Sequence, residues 1–448
     1  VSGSFEFVIT PDLVEEFRRE FAASDKYRVL RNALANAKPE DVALRREVVT
    51  TADHTFSVKL DDWRVTDQKN SGRCWMFAGL NLLRYGAMKK MNVKDFEFSQ
   101  NYVLFYDKLE RANYFLGAVL ETAHLPVEDR TVAFLLDNVL GDGGQWNMFV
   151  NIVKKYGLAP KSAMPETESS SNTGPMNWVL VAKLREYAAE LRDMAARGAG
   201  AEEIAAARKE MLAVVHRILC IHLGAPPERF MWQWHDKDGE FHRDGVLTPH
   251  EFAERYVTIP LDEYVCLVND PRPDNPFGRT YTVRFLGNVE GGERVVYLNV
   301  DIETMKKTAM RALEGGDPVW FGCDVGKMMH RKLGLWDAKL FALEEMYDTA
   351  FRFDKAQRLL YHSTQMTHAM LFTGVDIVDG KPRRWRVENS WGEEGGAKGF
   401  YLMNDNWFDE YMFEIAARKS LLPAELLEAL ETEPVVLPPW DPMGSLAR

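Results

Sequence analysis

Cysteine is scarce in this chain: four in 448 residues, at Cys74, Cys220, Cys266 and Cys323, and no two of them form a CxxC pair. A disulfide scaffold or a zinc ribbon needs denser or closer thiols, so a reducing, cytoplasmic setting is expected. Long apolar runs are missing too. A helical membrane span needs about 18 of them in a row, so no membrane association is expected. The first residues, VSGSFEFVITPDLVEEF, lack the basic-then-apolar order of a signal peptide. Positive charge is in deficit, with 55 Lys and Arg against 67 Asp and Glu and a net charge of −12. Phosphate affinity comes from clustered cations, so a general nucleic-acid binder is disfavoured. The ten histidines show no metal-ligand spacing, and neither a metal nor a cofactor is expected.

What is present is a large apolar supply, 46% of the chain with 12 Trp and 25 Phe, enough to fill a sizeable core. The chain divides into five stretches. Residues 1–62 read as an N-terminal arm, with helical segments at Pro11 to Ala23 and Tyr27 to Ala35 and then a more extended run, EVVTTADHTFSVKL. Residues 63–164 read as a helical half: a helix from Ser71 onward, then a long aromatic-rich helix for which Ser99 can supply the cap. Residues 165–250 open with a polar loop, ETESSSNTGP, followed by two charged helices around Gly198-Ala199-Gly200. Leu180, Leu184, Tyr187, Leu191 and Met194 share one face there. This insertion is either a subunit-contact element or a hairpin packed on its own domain. Residues 251–405 carry short β-branched and aromatic runs between Gly, Pro and Asp turns, the pattern of an antiparallel sheet or barrel. Residues 406–448 read as helix followed by an extended tail. The fold class is therefore α+β.

The chemistry concentrates in three segments. In Gln68-Lys69-Asn70-Ser71-Gly72-Arg73-Cys74-Trp75, a glycine-bearing loop delivers Cys74 to the first turn of a helix, where free N–H groups favour a thiolate. Gln68, six residues upstream, can aim its amide where the Cys74 N–H points, and two convergent donors make an oxyanion hole. His368 opens an apolar strand, HAMLFTGV, and is the candidate base. Twenty-one residues later comes Glu388-Asn389-Ser390-Trp391-Gly392. Asn389 can accept from the imidazole and fix its tautomer while Trp391 shields that bond, which is the logic of an oriented base beside a nucleophile. Cys220, Cys266 and Cys323 sit in apolar strings and are expected to be buried. Trp232 and Trp234 are expected to pack on a strand.

QxxxxxCW, THAMLFTGV and ENSWG together resemble the papain superfamily, and SQNYVLFYDKLERANYFL, GDGGQWNM and the terminal WDPMGSLA resemble its bleomycin hydrolase and aminopeptidase C branch. The resemblance implies a papain-like fold, with the helical half carrying the cysteine and a β-barrel half carrying the histidine and asparagine. It implies that Gly143 and Gly144 line the cleft and bond the substrate backbone. It also implies a homohexamer in which each C-terminus enters the cleft, its carboxylate pairing with the α-ammonium of a peptide or amide substrate. The result would be an aminopeptidase. The terminal Arg448 departs from an all-small ending, and its removal would leave the Ala447 carboxylate as the anchor. Ser71 replaces the disulfide-forming cysteine of the secreted papains, as a reducing cytosol favours. Two other readings stay open: another cysteine-dependent amidase or acyl-transfer enzyme, and a non-enzymatic scaffold or nucleic-acid binder.

Overall fold

The strand that begins at His368 is buried along nine of its eleven residues, which its apolar run requires of a strand covered on both faces. It belongs to a computed structural model that describes residues 7–61 and 63–447; Arg448 lies outside them. The main strands are β1 (Tyr264–Val268), β2 (Arg279–Val283), β3 (Tyr297–Asn299), β4 (Val319–Cys323), β5 (His368–Val378), β6 (Lys381–Glu388), β7 (Phe400–Asn404) and β8 (Met412–Arg418). They form one sheet in the order β2-β3-β1-β8-β4-β5-β6-β7, with shorter strands at both ends. Most pairs are antiparallel, and β1 pairs with β3 in parallel. Ala369 and Leu371 point to one core with the long helices, whereas Met370, Phe372 and Val375 point to a second core under helices Ile302–Glu314 and Asp405–Tyr411. This alternation places the start of β5 at the edge of the helical half.

The helical half is built around Cys74–Met91 and Gln100–Glu121. Ser99 caps the second, accepting from the Tyr102 N–H at 3.0 Å. Trp320 on β4 donates its indole N–H to the Trp75 carbonyl at 3.0 Å and so ties the sheet to the cysteine helix. Inside the 165–250 stretch, helices Gly174–Ala196 and Ala201–Leu223 pack on Gln100–Glu121, and Leu180, Leu184, Leu191 and Met194 are buried in the shared core.

Several stretches differ from the sequence reading. The same insertion ends in a two-stranded hairpin, Phe230–His235 with Phe241–Leu247, that carries Trp232 and Trp234. In 406–448, helices Asp405–Tyr411 and Ala424–Leu430 are present as expected, but β8 lies between them, because its neighbours β1 and β4 supply ladder partners on both sides. The tail ends in a short 3₁₀ turn, Pro442–Ala447, rather than extended chain. The EVVTT stretch forms part of a helix, Arg46–Thr50. Cys220 is only half-buried, on the outer part of its helix, while Cys266 and Cys323 are buried.

A separate unit joins residues 7–52 to 338–352. Helices Pro11–Ala22 and Asp25–Leu34 are capped by Thr10 and Ser24, yet neither buries a residue. The two pieces meet through Arg45 N–H to the Leu340 carbonyl (2.9 Å) and Ala342 N–H to the Ala43 carbonyl (2.7 Å). Among the described residues no helix is long and apolar enough to cross a membrane.

Candidate active site

Cys74 is the first residue of its helix, and the residue before it, Arg73, makes no side-chain bond to the first-turn amides. The Arg73 guanidinium turns inward instead, to Glu166 (3.0 and 2.7 Å) and the Ser71 hydroxyl (2.9 Å). With no acidic residue in the first turn, the free N–H groups there remain available to an anion. Trp75 donates its indole N–H to the Asp142 carbonyl at 2.7 Å. Gly144 must be glycine, since a Cβ there would lie 2.5 Å from the Trp75 ring.

Asp142 organises this corner. Its carboxylate accepts from the Gly72 N–H (3.1 Å), Asn177 (2.7 Å), Thr173 and the buried Lys108. Burial alone would favour its neutral form, but the Lys108 ammonium and these donors hold it well below the usual carboxylate range.

Gln68 is fixed on both sides. Its backbone N–H donates to the Ser390 carbonyl (2.9 Å), its Oε1 accepts from the Ser390 hydroxyl (2.6 Å), and its Nε2 donates to the Ser71 carbonyl (2.6 Å). An amide nitrogen carries two hydrogens, so one N–H is left for a ligand. Asp67 pairs with Trp391 and the Gly392 N–H donates to the Thr66 carbonyl (3.1 Å), which ties the Gln68 loop to the ENSWG segment.

His368 Nε2 lies 3.0 Å from Asn389 Oδ1. That oxygen can only accept, so Nε2 holds the hydrogen and Nδ1 is the basic atom. The Trp391 ring covers the imidazole at 4.7 Å between centroids. The Cys74 thiol faces the N–H of Ala369, the residue after His368. Burial pushes the Cys74 thiol up to about 11, against the lowering effect of the Ala369 and Trp75 amides. Burial likewise takes His368 down to about 4, although its bond to Asn389 opposes this. Burial opposes charge on either group alone, whereas the free N–H groups at the start of the helix favour the thiolate.

The C-terminal segment crosses the helical side of the sheet. Asp441 pairs with Arg272 (3.0 and 2.9 Å), the Tyr297 hydroxyl donates to the Met443 carbonyl (3.0 Å), and the Ser445 hydroxyl donates to the Met366 carbonyl (2.8 Å). Arg111 donates to the Ala447 carbonyl at 3.4 Å and, through its other terminal nitrogen, to the Gly143 carbonyl. Asp107 holds Arg111 at 2.8 Å.

The structure thus brings together Cys74, Gln68, His368, Asn389 and Trp391; Gly144 packs on the Trp75 ring, and Arg111 joins Gly143 to Ala447. Sequence reasoning missed Arg111, Asp107, Lys108 and Asp142. Four charged residues on one stretch of an otherwise largely apolar helix, Asp107, Lys108, Glu110 and Arg111, were the available signal. Among the described residues no group of three or more His, Cys, Asp or Glu could hold a metal ion.

The chain is similar to known proteins over nearly its whole length. A family model described as the Peptidase C1-like family matches residues 8–444. Bleomycin hydrolase of Gallus gallus is 45% identical over 442 residues, covering 96% of this chain and 97% of that protein. Aminopeptidase C of Listeria innocua is 42% identical over 444 residues, covering 98% and 99%. A crystal structure of PepW from Lactobacillus rhamnosis superimposes with a TM-score of 0.96 at 44% identity, covering 99% of both chains.

Proposed function

This chain belongs to the Peptidase C1-like family, and with that as premise we propose that it is a cysteine aminopeptidase of the bleomycin hydrolase type, releasing N-terminal residues from peptides and amides. The Cys74 thiolate, its proton held by His368 Nδ1, attacks the scissile carbonyl carbon. The carbonyl oxygen becomes an oxyanion, held by the Cys74 N–H and the free N–H of Gln68 Nε2. Its collapse expels the amine, which takes the proton from His368, and leaves a thioester on Cys74. Water then gives a proton to His368 and attacks the thioester, and the acid leaves as the thiol recovers its proton. Asn389 keeps the imidazole in the tautomer that this sequence needs.

The observation that carries the aminopeptidase reading is the docking of Pro442–Ala447 beside the start of β5: Ser445 bonds to the Met366 carbonyl, Leu446 lies at Gly322, the register partner of Ala369, and Arg111 joins the Ala447 carbonyl to Gly143. A docked tail leaves little room for chain on the acyl side of the scissile bond. With Arg448 removed, the Ala447 carboxylate would face the α-ammonium of the substrate. Gly143 and Gly144 would then contact substrate backbone. The test is an alanyl anilide beside its N-acetylated copy. The free amine is expected to be cleaved at least about 10²-fold more efficiently, since a site shaped for one polar group rejects the analogue that lacks it. Equal cleavage of the two would leave a cysteine peptidase but end the role of the tail.

The same reading extends to assembly as a homohexamer. Two capped helices, Pro11–Ala22 and Asp25–Leu34, bury nothing in the isolated chain, while Phe17, Phe21 and Val29 stay exposed. Apolar helix faces of this kind are covered in a stable protein. Sedimentation of the active enzyme is expected to give about six times the monomer mass; an active monomer would end this part of the reading. Unpaired cysteines and the proposed thiol chemistry agree with a reducing cytoplasm.

A further inference from the structure

Trp391 and the tail flank His368 on opposite sides. In the order β8-β4-β5-β6, Leu446 lies at Gly322 on β4 and Ser445 bonds to the Met366 carbonyl, whereas Trp391 follows the end of β6. A tail that fills the acyl side therefore leaves the Trp391 side to the departing amine. Two charged or chargeable groups meet the Trp391 ring there. The His368 imidazole lies 4.7 Å away between centroids, and the Arg331 guanidinium lies over the ring, 4.6 Å from its centroid. One indole thus carries both the base that protonates the leaving group and a cation.

Arg331 is held there by a tight turn between Met329–His330 and Leu335–Trp336. Gly334 closes the turn at φ +61°, its N–H donating to the His330 and Arg331 carbonyls (3.0 and 3.1 Å). A Cβ on Gly334 would lie 2.4 Å from Gly396 Cα, and one on Gly395 would lie 3.1 Å from the Arg331 carbonyl. The Gly334 carbonyl accepts from the Leu402 N–H on β7 (2.8 Å), and the hydroxyl of buried Tyr401 accepts from the guanidinium. Arg331 is nonetheless exposed, and among the described residues no carboxylate pairs with it: Asp67 pairs with Lys69, and Glu393 with Arg64. A guanidinium carries five N–H donors in a planar fork, so one fixed by Trp391 and Tyr401 still has donors to offer, in a shape that fits a carboxylate.

We propose that Arg331 binds the C-terminal carboxylate of short peptides on the leaving-group side of the cleft, so that free di- and tripeptides are preferred to their amides. In a dipeptide the carboxylate carbon is two bonds from the leaving nitrogen, which takes its proton from His368, and each further residue adds at most about 3.6 Å. A carboxylate one or two residues past the scissile bond therefore stays in the neighbourhood of the Trp391 ring. The pairing also assists the base. Arg331 disfavours charge on His368, and a carboxylate set against the guanidinium relieves that effect. The proposal rests on the reading of the tail given above, which assigns the acyl side, and adds the substrate class that the other side selects.

The test compares release of alanine from Ala-Leu and from Ala-Leu amide by the full-length protein. The free acid is expected to be favoured in kcat/KM by at least about fivefold, the scale of a charged pair that solvent partly screens. Most of the difference should lie in KM, and it runs against the net charge of −12, which by itself disfavours an anionic substrate. The preference should fall as salt is added. It should vanish with Arg331→Gln and survive in part with Arg331→Lys, which keeps the charge and loses the fork. Each ratio is read within one variant, so a general loss of activity, as from an uncovered Trp391, cancels. Equal or better cleavage of the amide by the wild type overturns the proposal, as does a preference that Arg331→Gln leaves unchanged. If that variant does not fold, the wild-type salt series decides, and a preference indifferent to salt overturns the proposal. Failure of the tail reading shows separately, as equal cleavage of free and acetylated alanyl anilides by the wild type.

Discussion

Cys74→Ala is expected to lower kcat/KM for a free-amine aminoacyl anilide by at least about 10⁴-fold while leaving the fold in place. The loss is large because no other thiol is placed to substitute. Cys323 is the register partner of His368 across β4 and β5, but it is buried and its pKa is raised well above the usual thiol range by burial. Cys266 is likewise buried, with its thiol bonded to Asn147. The fold should tolerate the change, since the thiol is a small buried group whose removal leaves no charge unpaired; thermal melting should move by no more than the equivalent of about 1 kcal/mol. Steady-state kinetics beside a melting curve separate these two effects. Activity within tenfold of wild type would mean that the nucleophile lies elsewhere. Intact masses of the same two proteins also read the fate of Arg448. It is expected to be absent from wild type and retained in Cys74→Ala, because the proposed trimming uses the same thiol.

The second large effect is on stability. Arg84, on the cysteine helix, donates to Glu388 at 2.7 Å, and both side chains are buried. Glu388 directly precedes Asn389, so the pair joins the helix that carries the thiol to the strand end that orients the base. Arg84→Met is expected to destabilise the chain by about 3–5 kcal/mol, because it leaves a buried carboxylate without its cation. Burial already raises the Glu388 pKa, with Arg84 opposing it. Without Arg84 the folded state would bind that proton more tightly still, so the penalty should be full at neutral pH. It should shrink as pH falls toward the unfolded carboxylate value of about 4.3. Arg84→Met with Glu388→Gln should recover most of the loss. Urea melts at pH 7 and pH 5 would check this, and a penalty that does not change with pH would rule out Glu388 as its source.

The candidate site was legible where its signals are local. A glycine-bearing loop running into a helix announces Cys74, and an apolar strand that opens on histidine announces His368, because each signal lies within a few residues. Gln68, Asn389 and Trp391 follow from fixed offsets to those two. What the sequence hid depends on distant partners. Met412–Arg418, YMFEIAAR in its surroundings, has residues at home in a helix, and only the ladders to β1 and β4 make it a strand. Buried Glu414 within it therefore had no assignable face. Asp142 and Arg111 gain their importance from Lys108, Thr173, Gly143 and Ala447, which are brought in from other parts of the chain.

The unit that joins residues 7–52 to 338–352 has a consequence for biosynthesis. The bonds that close it, Arg45 to Leu340 and Ala342 to Ala43, link parts of the chain on the order of 300 residues apart. A ribosome adding about 5–20 residues per second would expose the first piece for roughly 15–60 s before the second is made. Phe21 stacks on Tyr27 within the first piece, yet Phe17, Phe21 and Val29 stay exposed even after the unit closes. The nascent arm is thus a long-lived apolar target for chaperones, and closure of its own unit does not remove these side chains from solvent.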